Sequence, residues 1–245
     1  MDHEAFEIIG AERPRNWVTI ADHATNIVPK AVSGGDLGLP AEDMARHIAW
    51  DPGARGVSIA LAAALNGPYI GTLFSRLVID PNRAEDDPTV LMKLYDGSII
   101  PGNRHADAAE KERRLAAYHR PYHDALANLL AEGEQAGHAP AIVSIHSFTP
   151  QLRNRPPRPW HIGLLWDRDD RIVAPLLNRL AREDLCVGDN EPYTGTLAGD
   201  CMWRHGTEAG RPHILIEIRN DLIQTSEQQA QWGADLARWL TEAME

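Results

Sequence analysis

Three polar constellations stand at the ends of apolar runs. Asp22-His23 follows Trp-Val-Thr-Ile-Ala, His146-Ser147 closes Ala-Ile-Val-Ser-Ile, and Glu217 with Arg219 ends an alternating segment that begins at His213. Runs of this length, rich in β-branched residues, read as short buried strands. In an open α/β sheet the carboxyl ends of the strands line the ligand crevice, so two histidines and a carboxylate from distant positions can converge there. A lone histidine at such a place is more often a satisfied core group; convergence of several is the signature of a catalytic metal. Hydrolytic zinc takes three protein ligands, His and carboxylate, and leaves a fourth position for water. A separate base must then handle the proton. Glu217 suits that role, because Ile214, Leu215, Ile216 and Ile218 surround its carboxyl with apolar material that raises its pKa.

The elements that carry these residues follow from periodicity and punctuation. Trp17 to Ala21 reads as a strand that opens into a Gly- and Pro-rich loop reaching Pro40. Residues 51–65 have helical spacing and stop at Asn66-Gly67-Pro68. Residues 69–80 predict one or two strands, and 81–101 a long charged loop or lid. A long helix over 106–134 follows from Leu115, Tyr118, Tyr122, Leu126, Leu129 and Leu130 at three- and four-residue intervals. Strands are expected at 141–147, 161–166 and 213–218, and a helix at 171–183. The closing helix, 226–243, starts with the capping box Thr225-Ser226-Glu227-Gln228. Strands alternating with helices, with no repeat or linker between them, predict one domain over residues 1–245: a three-layer α/β/α sandwich with a mixed sheet.

Composition narrows the function classes. The chain of 245 residues carries a formal net charge of −11, which disfavours nucleic acid and anionic membranes as partners and favours a small-molecule substrate. An anionic substrate in that field needs a local cluster of arginines. Two cysteines, Cys186 and Cys201, that lie apart and no apolar secretory start lead us to expect a cytoplasmic protein.

Several segments, in order along nearly the whole chain, carry a resemblance. They are Asp22-His23-Ala-Thr-Asn26-x-x-Pro29, Trp50-Asp51-x-Gly53-Ala54, Ser75-Arg76-x-x-x-Asp80-x-Asn82-Arg83, Tyr118-His-x-Pro-Tyr122-His123, Ile145-His146-Ser147 and Glu217-Ile-Arg219. Together they resemble the N-formylglutamate amidohydrolase family, which is related in fold to the zinc carboxypeptidases. The resemblance implies a zinc-exopeptidase-like (phosphorylase/hydrolase-like) fold and zinc-dependent hydrolysis of a small anionic N-acyl amino acid such as N-formyl-L-glutamate.

The resemblance also implies roles. Zinc would be held by His23, His146 and an acid: Asn26 stands where the carboxypeptidases have a ligand glutamate, so Asp51 is the first choice for that acid and Asp22 the second. Asn82 and Arg83 would clamp the substrate carboxylate, and Arg76 would polarise the scissile carbonyl or add to the clamp. Arg204 and His205 match a short family segment and are expected to contact substrate. His119 and His123 stand four apart on the long helix, where helix packing is their expected use. Alternatives are a carboxypeptidase-like or broader N-acyl amino acid hydrolase, and a metal-free carboxylate-binding protein of the same fold.

Overall fold

Seven strands form one mixed sheet in a computed structural model that describes residues 3–245. The strands of the chain are β1 (Phe6–Ile9), β2 (Trp17–Ala21), β3 (Tyr69–Thr72), a small separate hairpin of β4 (Leu94–Tyr95) and β5 (Ser98–Ile99), β6 (Ala141–Phe148), β7 (Ile162–Leu165), β8 (Val187–Asp189) and β9 (His213–Arg219). Across the main sheet the order is β1-β3-β2-β6-β9-β7-β8. β3, β2, β6 and β9 are mutually parallel, whereas β1 and β7 run antiparallel to their neighbours β3 and β9. The four central parallel strands therefore deliver their carboxyl ends to one edge, as parallel strands buried on both faces require.

Alternation along these strands decides what each face meets. On one face Val143, Ile145, Ile162, Leu164, Ile214, Ile216 and Ile218 pack against α2 (Ala54–Ala64), α5 (Val173–Leu180) and α6 (Ser226–Met244). On the other, Val18, Ile20, Ile142 and Leu215 pack against Tyr122, Leu126, Leu129 and Leu130 of the long helix. Asp22, Ser144, His146 and Glu217 continue that second series by period two, so the polar strand ends all emerge on the long helix's side of the sheet. The mixed three-layer sandwich expected from the sequence is thus the observed one.

The remaining helices are a single turn at Ala41–Met44 (α1), then α3 (Ala108–Arg114) and α4 (Arg120–Gln135), which continue into each other through a π-helical turn at Leu115–His119. The capping box of α6 forms as expected, with the Thr225 side chain accepting from the Gln228 backbone.

Residues 69–80 depart from expectation. The strand ends at Thr72, and Ser75 turns the chain away by donating to Ala49 O and accepting from Leu77 N. Phe74, Leu77, Val78 and Ile79 enter a second small core with Val32, Leu37 and Ile48, so their apolar character reflects burial and not strand pairing. β1 and β8 went unanticipated because four- and three-residue strands with mixed polarity leave no periodic signal.

An Asp followed by Pro suits a helix N-cap, but the residue before α2 is Gly53, in the left-handed region at φ 84°. A Cβ there would lie 2.3 Å from the carbonyl oxygen of Ile223. This sharp turn frees the Asp51 carboxylate to face the sheet. Gly53→Ala is expected to cost about 1–3 kcal/mol of stability, read as a lowered denaturant midpoint; an unchanged midpoint would show that the turn accepts a side chain without strain.

Candidate metal centre and active site

Asp22 and His23 follow β2 directly, His146 lies near the end of β6, and Glu217 is its register partner on neighbouring β9. Asp51 reaches the same place from the turn before α2, where its backbone N–H donates to His23 O at 3.0 Å. One oxygen of Asp51, Oδ2, stands 2.8 Å from His146 Nδ1 and 3.3 Å from His23 Nδ1. The outer nitrogens are backed by two further acids: His23 Nε2 lies 2.7 Å from Asp80 Oδ1, and His146 Nε2 lies 3.1 Å from Asp22 Oδ2. His23, Asp51 and His146, all buried, thus offer three ligand atoms to one centre.

The donor chemistry fits a divalent cation. With Asp80 and Asp22 accepting from the Nε2–H groups, both Nδ1 lone pairs point inward at a carboxylate oxygen, an arrangement that needs positive charge between them. Asp22, Asp51 and Asp80 contribute three negative charges in the interior. Arg76 supplies one compensating positive charge, pairing with Asp80 at 2.8 Å and with Asp51 at 3.6 Å. The three acids that touch the histidines outnumber the arginine that pairs with them, an excess of negative charge that a bound cation offsets. In the metal-free protein a proton takes that place: burial works against a charged His146, yet its hydrogen bonds to Asp22 and Asp51 outweigh burial and hold its pKa well above the usual value. Burial likewise opposes ionisation of Asp51, and the surrounding histidines overcome it, holding the carboxyl well below the usual range.

Glu217 behaves oppositely. Burial pushes its carboxyl up to about 7, and Oε2 has no hydrogen-bond partner among the described residues. A buried, unpaired carboxylate oxygen beside the cluster is a proton acceptor poised near neutrality.

These residues line a cavity of about 160 Å³ together with Arg76, Asn82 and Arg83. Arg83 donates only to the Asn82 carbonyl and to Thr89 Oγ1 and has no carboxylate partner among the described residues. The Asn82 side-chain oxygen accepts from Cys201 N at 3.1 Å. Asp22, the second choice for the acidic ligand, occupies the outer side of His146 and also accepts from Tyr122 Oη and Ser144 Oγ. Asn26 donates to Met44 O, away from the cluster.

Arg204 and His205 do not line the cavity. The π-helical turn Trp203–Thr207 coils His205 inward against α4, where its Nε2 lies 2.9 Å from His123 Nδ1. His119 and His123 do more than pack their helix, since their Nε2 atoms bond the carbonyls of Arg83 and Pro81 and so hold the Asn82-Arg83 loop.

Sequence reasoning missed the role of Asp80 as the acid behind His23, although its place four residues after Arg76 was a usable signal. It also missed His47, Tyr193, Leu197 and Asp200 on the cavity wall. Tyr193 and Leu197 arrive on the loop after β8, which lies so close over β7 that a Cβ on Gly163 would fall 2.1 Å from Glu191 O. Burial pushes Asp200 up to about 6.

The family model described as N-formylglutamate amidohydrolase matches residues 15–224. Among solved structures, a gene product of Agrobacterium tumefaciens aligns with a TM-score of 0.93 at 32% identity, over 99% of this chain and 96% of that one. An N-formylglutamate amidohydrolase from Ralstonia eutropha has the same fold, with a TM-score of 0.63 at 18% identity, over 97% of this chain and 98% of its own. No curated protein gives a match.

Proposed function

We propose that this chain, which belongs to the N-formylglutamate amidohydrolase family, is a zinc-dependent enzyme that hydrolyses N-formyl-L-glutamate or a closely similar N-acyl amino acid to the free amino acid and the acyl acid. The observation that supports it most is the convergence of two imidazole Nδ1 atoms on one oxygen of Asp51, each ring backed by its own carboxylate. His23, Asp51 and His146 would hold the ion, which when bound lowers the pKa of water and draws charge from a carbonyl oxygen.

The chain's own residues supply the rest. Glu217 takes a proton from the attacking water as that water adds to the acyl carbon, and returns it to the amide nitrogen as the C–N bond breaks. Arg76, fixed by Asp80 and Asp51, keeps a positive charge at the cavity wall, which favours the negative charge that develops on the carbonyl oxygen. Asn82 and Arg83 hold the substrate's carboxylate. The charge left uncompensated around the histidines favours this reading over a metal-free binding protein. Phe148, Leu165, Leu197 and Leu215 on the wall favour, as a second reading, acceptance of acyl groups larger than formyl.

Arg83→Ala tests the substrate assignment. Losing a charge-assisted bond to a carboxylate is worth about 1.5–3 kcal/mol, so KM for N-formyl-L-glutamate should rise roughly 10- to 100-fold with kcat little changed. The same enzyme should discriminate against the α-amide of that substrate, and the variant should not. An unchanged KM would remove Arg83 from the clamp.

A further inference from the structure

Behind Asp22, on the side away from the cavity, three more buried side chains meet: the ligand atoms of His123, Cys201 and His205 all lie within 4.8 Å of one another. We infer that His123, Cys201 and His205 form a second metal site, for zinc or another divalent ion that accepts thiolate, separate from the centre at His23, Asp51 and His146.

Spacing, tautomer and geometry support it. Cys201 and His205 are four residues apart on one helical segment and so share a face, while His123 comes from α4 opposite. His123 Nε2 lies 2.9 Å from Pro81 O, which can only accept, so the proton sits on Nε2 and the lone pair of Nδ1 points into the cluster. Metal-bound histidines are held in this way, with the outer N–H on a carbonyl. His205 Nε2–H donates to the His123 Nδ1 lone pair at 2.9 Å, with the rings inclined by only 17°, so His205 must move its proton to Nδ1 before Nε2 can bind the ion. Two ligands of a tetrahedral zinc at bonds near 2.0–2.3 Å are separated by roughly 3.4 Å, so a few tenths of an ångström of ring movement admits the ion. Burial and the adjoining Asp22 carboxylate keep the Cys201 thiol protonated, so the ion must displace that proton in order to bind. Both helical stretches that shape the cluster contain a π-helical turn, Leu115–His119 and Trp203–Thr207, a distortion enriched at functional sites.

Loading this site displaces the Cys201 proton to solvent and leaves a thiolate on the ion. The consequence for the molecule is mechanical. Cys201 N donates to Asn82 Oδ1 and His123 bonds Pro81, so the ion would fix the loop that carries Asn82 and Arg83.

Cobalt(II) is the probe. The centre at His23, Asp51 and His146 contains no sulfur, so a near-ultraviolet thiolate-to-cobalt charge-transfer band reports the second site alone. Metal-free wild-type protein titrated with cobalt is expected to take up two equivalents and show the band. Cys201→Ser should lose the band and one equivalent, and Cys186→Ser, which changes an exposed thiol, should lose neither. Asp51→Ala should lose the other equivalent and keep the band, so failure of the catalytic centre is distinguishable from failure of this site. A wild-type titration that ends at one equivalent without a thiolate band overturns the inference, even if Cys201→Ser does not fold.

Discussion

Glu217→Gln is expected to lower the rate of amide hydrolysis by roughly 10²- to 10⁴-fold, the range a positioned general base contributes, while making the metal-free protein more stable above neutral pH. Both effects come from burial. It raises the Glu217 carboxyl from 4.5 to about 7, which brings the group near the working pH of a base and leaves Oε2 without a partner. The folded protein therefore binds this proton more tightly than the unfolded chain does. Stability held below pH 4.5 is lost as pH rises to about 7, at about 1.4 kcal/mol per unit, and does not return above it. Glutamine keeps the shape without the charge. In chelated protein the stability of the variant relative to wild type should rise by about 3 kcal/mol between pH 5 and pH 8, read from denaturant unfolding. Near-normal turnover in the variant would exclude Glu217 as the base, and a stability gap independent of pH would show that its carboxyl is not the group at strain.

Asp51→Ala is expected to abolish hydrolysis at ordinary zinc concentrations, with loss of the ion from the catalytic centre. Asp51 Oδ2 is the atom on which both imidazoles converge, and its removal leaves two neutral donors, too few for a tight site. The acids on the outer nitrogens should matter less. Asp80→Asn and Asp22→Asn keep a hydrogen-bonding group beside the ring but lose its charge, and each should weaken zinc binding about 10- to 100-fold. Zinc competition against a chelator of known affinity would rank the three. An Asp51→Ala protein that held zinc as tightly as wild type would take Asp51 out of the ligand set.

The sequence makes legible those elements in which local pattern and tertiary position coincide. Trp17 to Ala21 had to be a buried strand, and a buried strand puts Asp22-His23 at a carboxyl end; the same holds for His146 and Glu217. The three-layer fold followed from the alternation of strands and amphipathic helices. What was illegible depends on contacts between distant segments. Residues 73–80 look like strand because Leu77, Val78 and Ile79 are buried, but they are buried against Ile48 and Phe74 and not in the sheet. Asp80 becomes the partner of His23 only through that fold-back. His205 turns away from the cavity because a π-helical turn, which no residue pattern announces, rotates it towards His123. Tyr193 and Leu197 reach the cavity wall on a loop whose course is set by a close approach over Gly163.

The most direct test of the central claim is formate release from N-formyl-L-glutamate by the purified protein, measured with its metal content before chelation, after chelation and after zinc is restored. Activity is expected to disappear with the metal and to return with zinc, and Asp51→Ala is not expected to be rescued under the same conditions. Undiminished formate release from protein shown to be free of metal would contradict that claim.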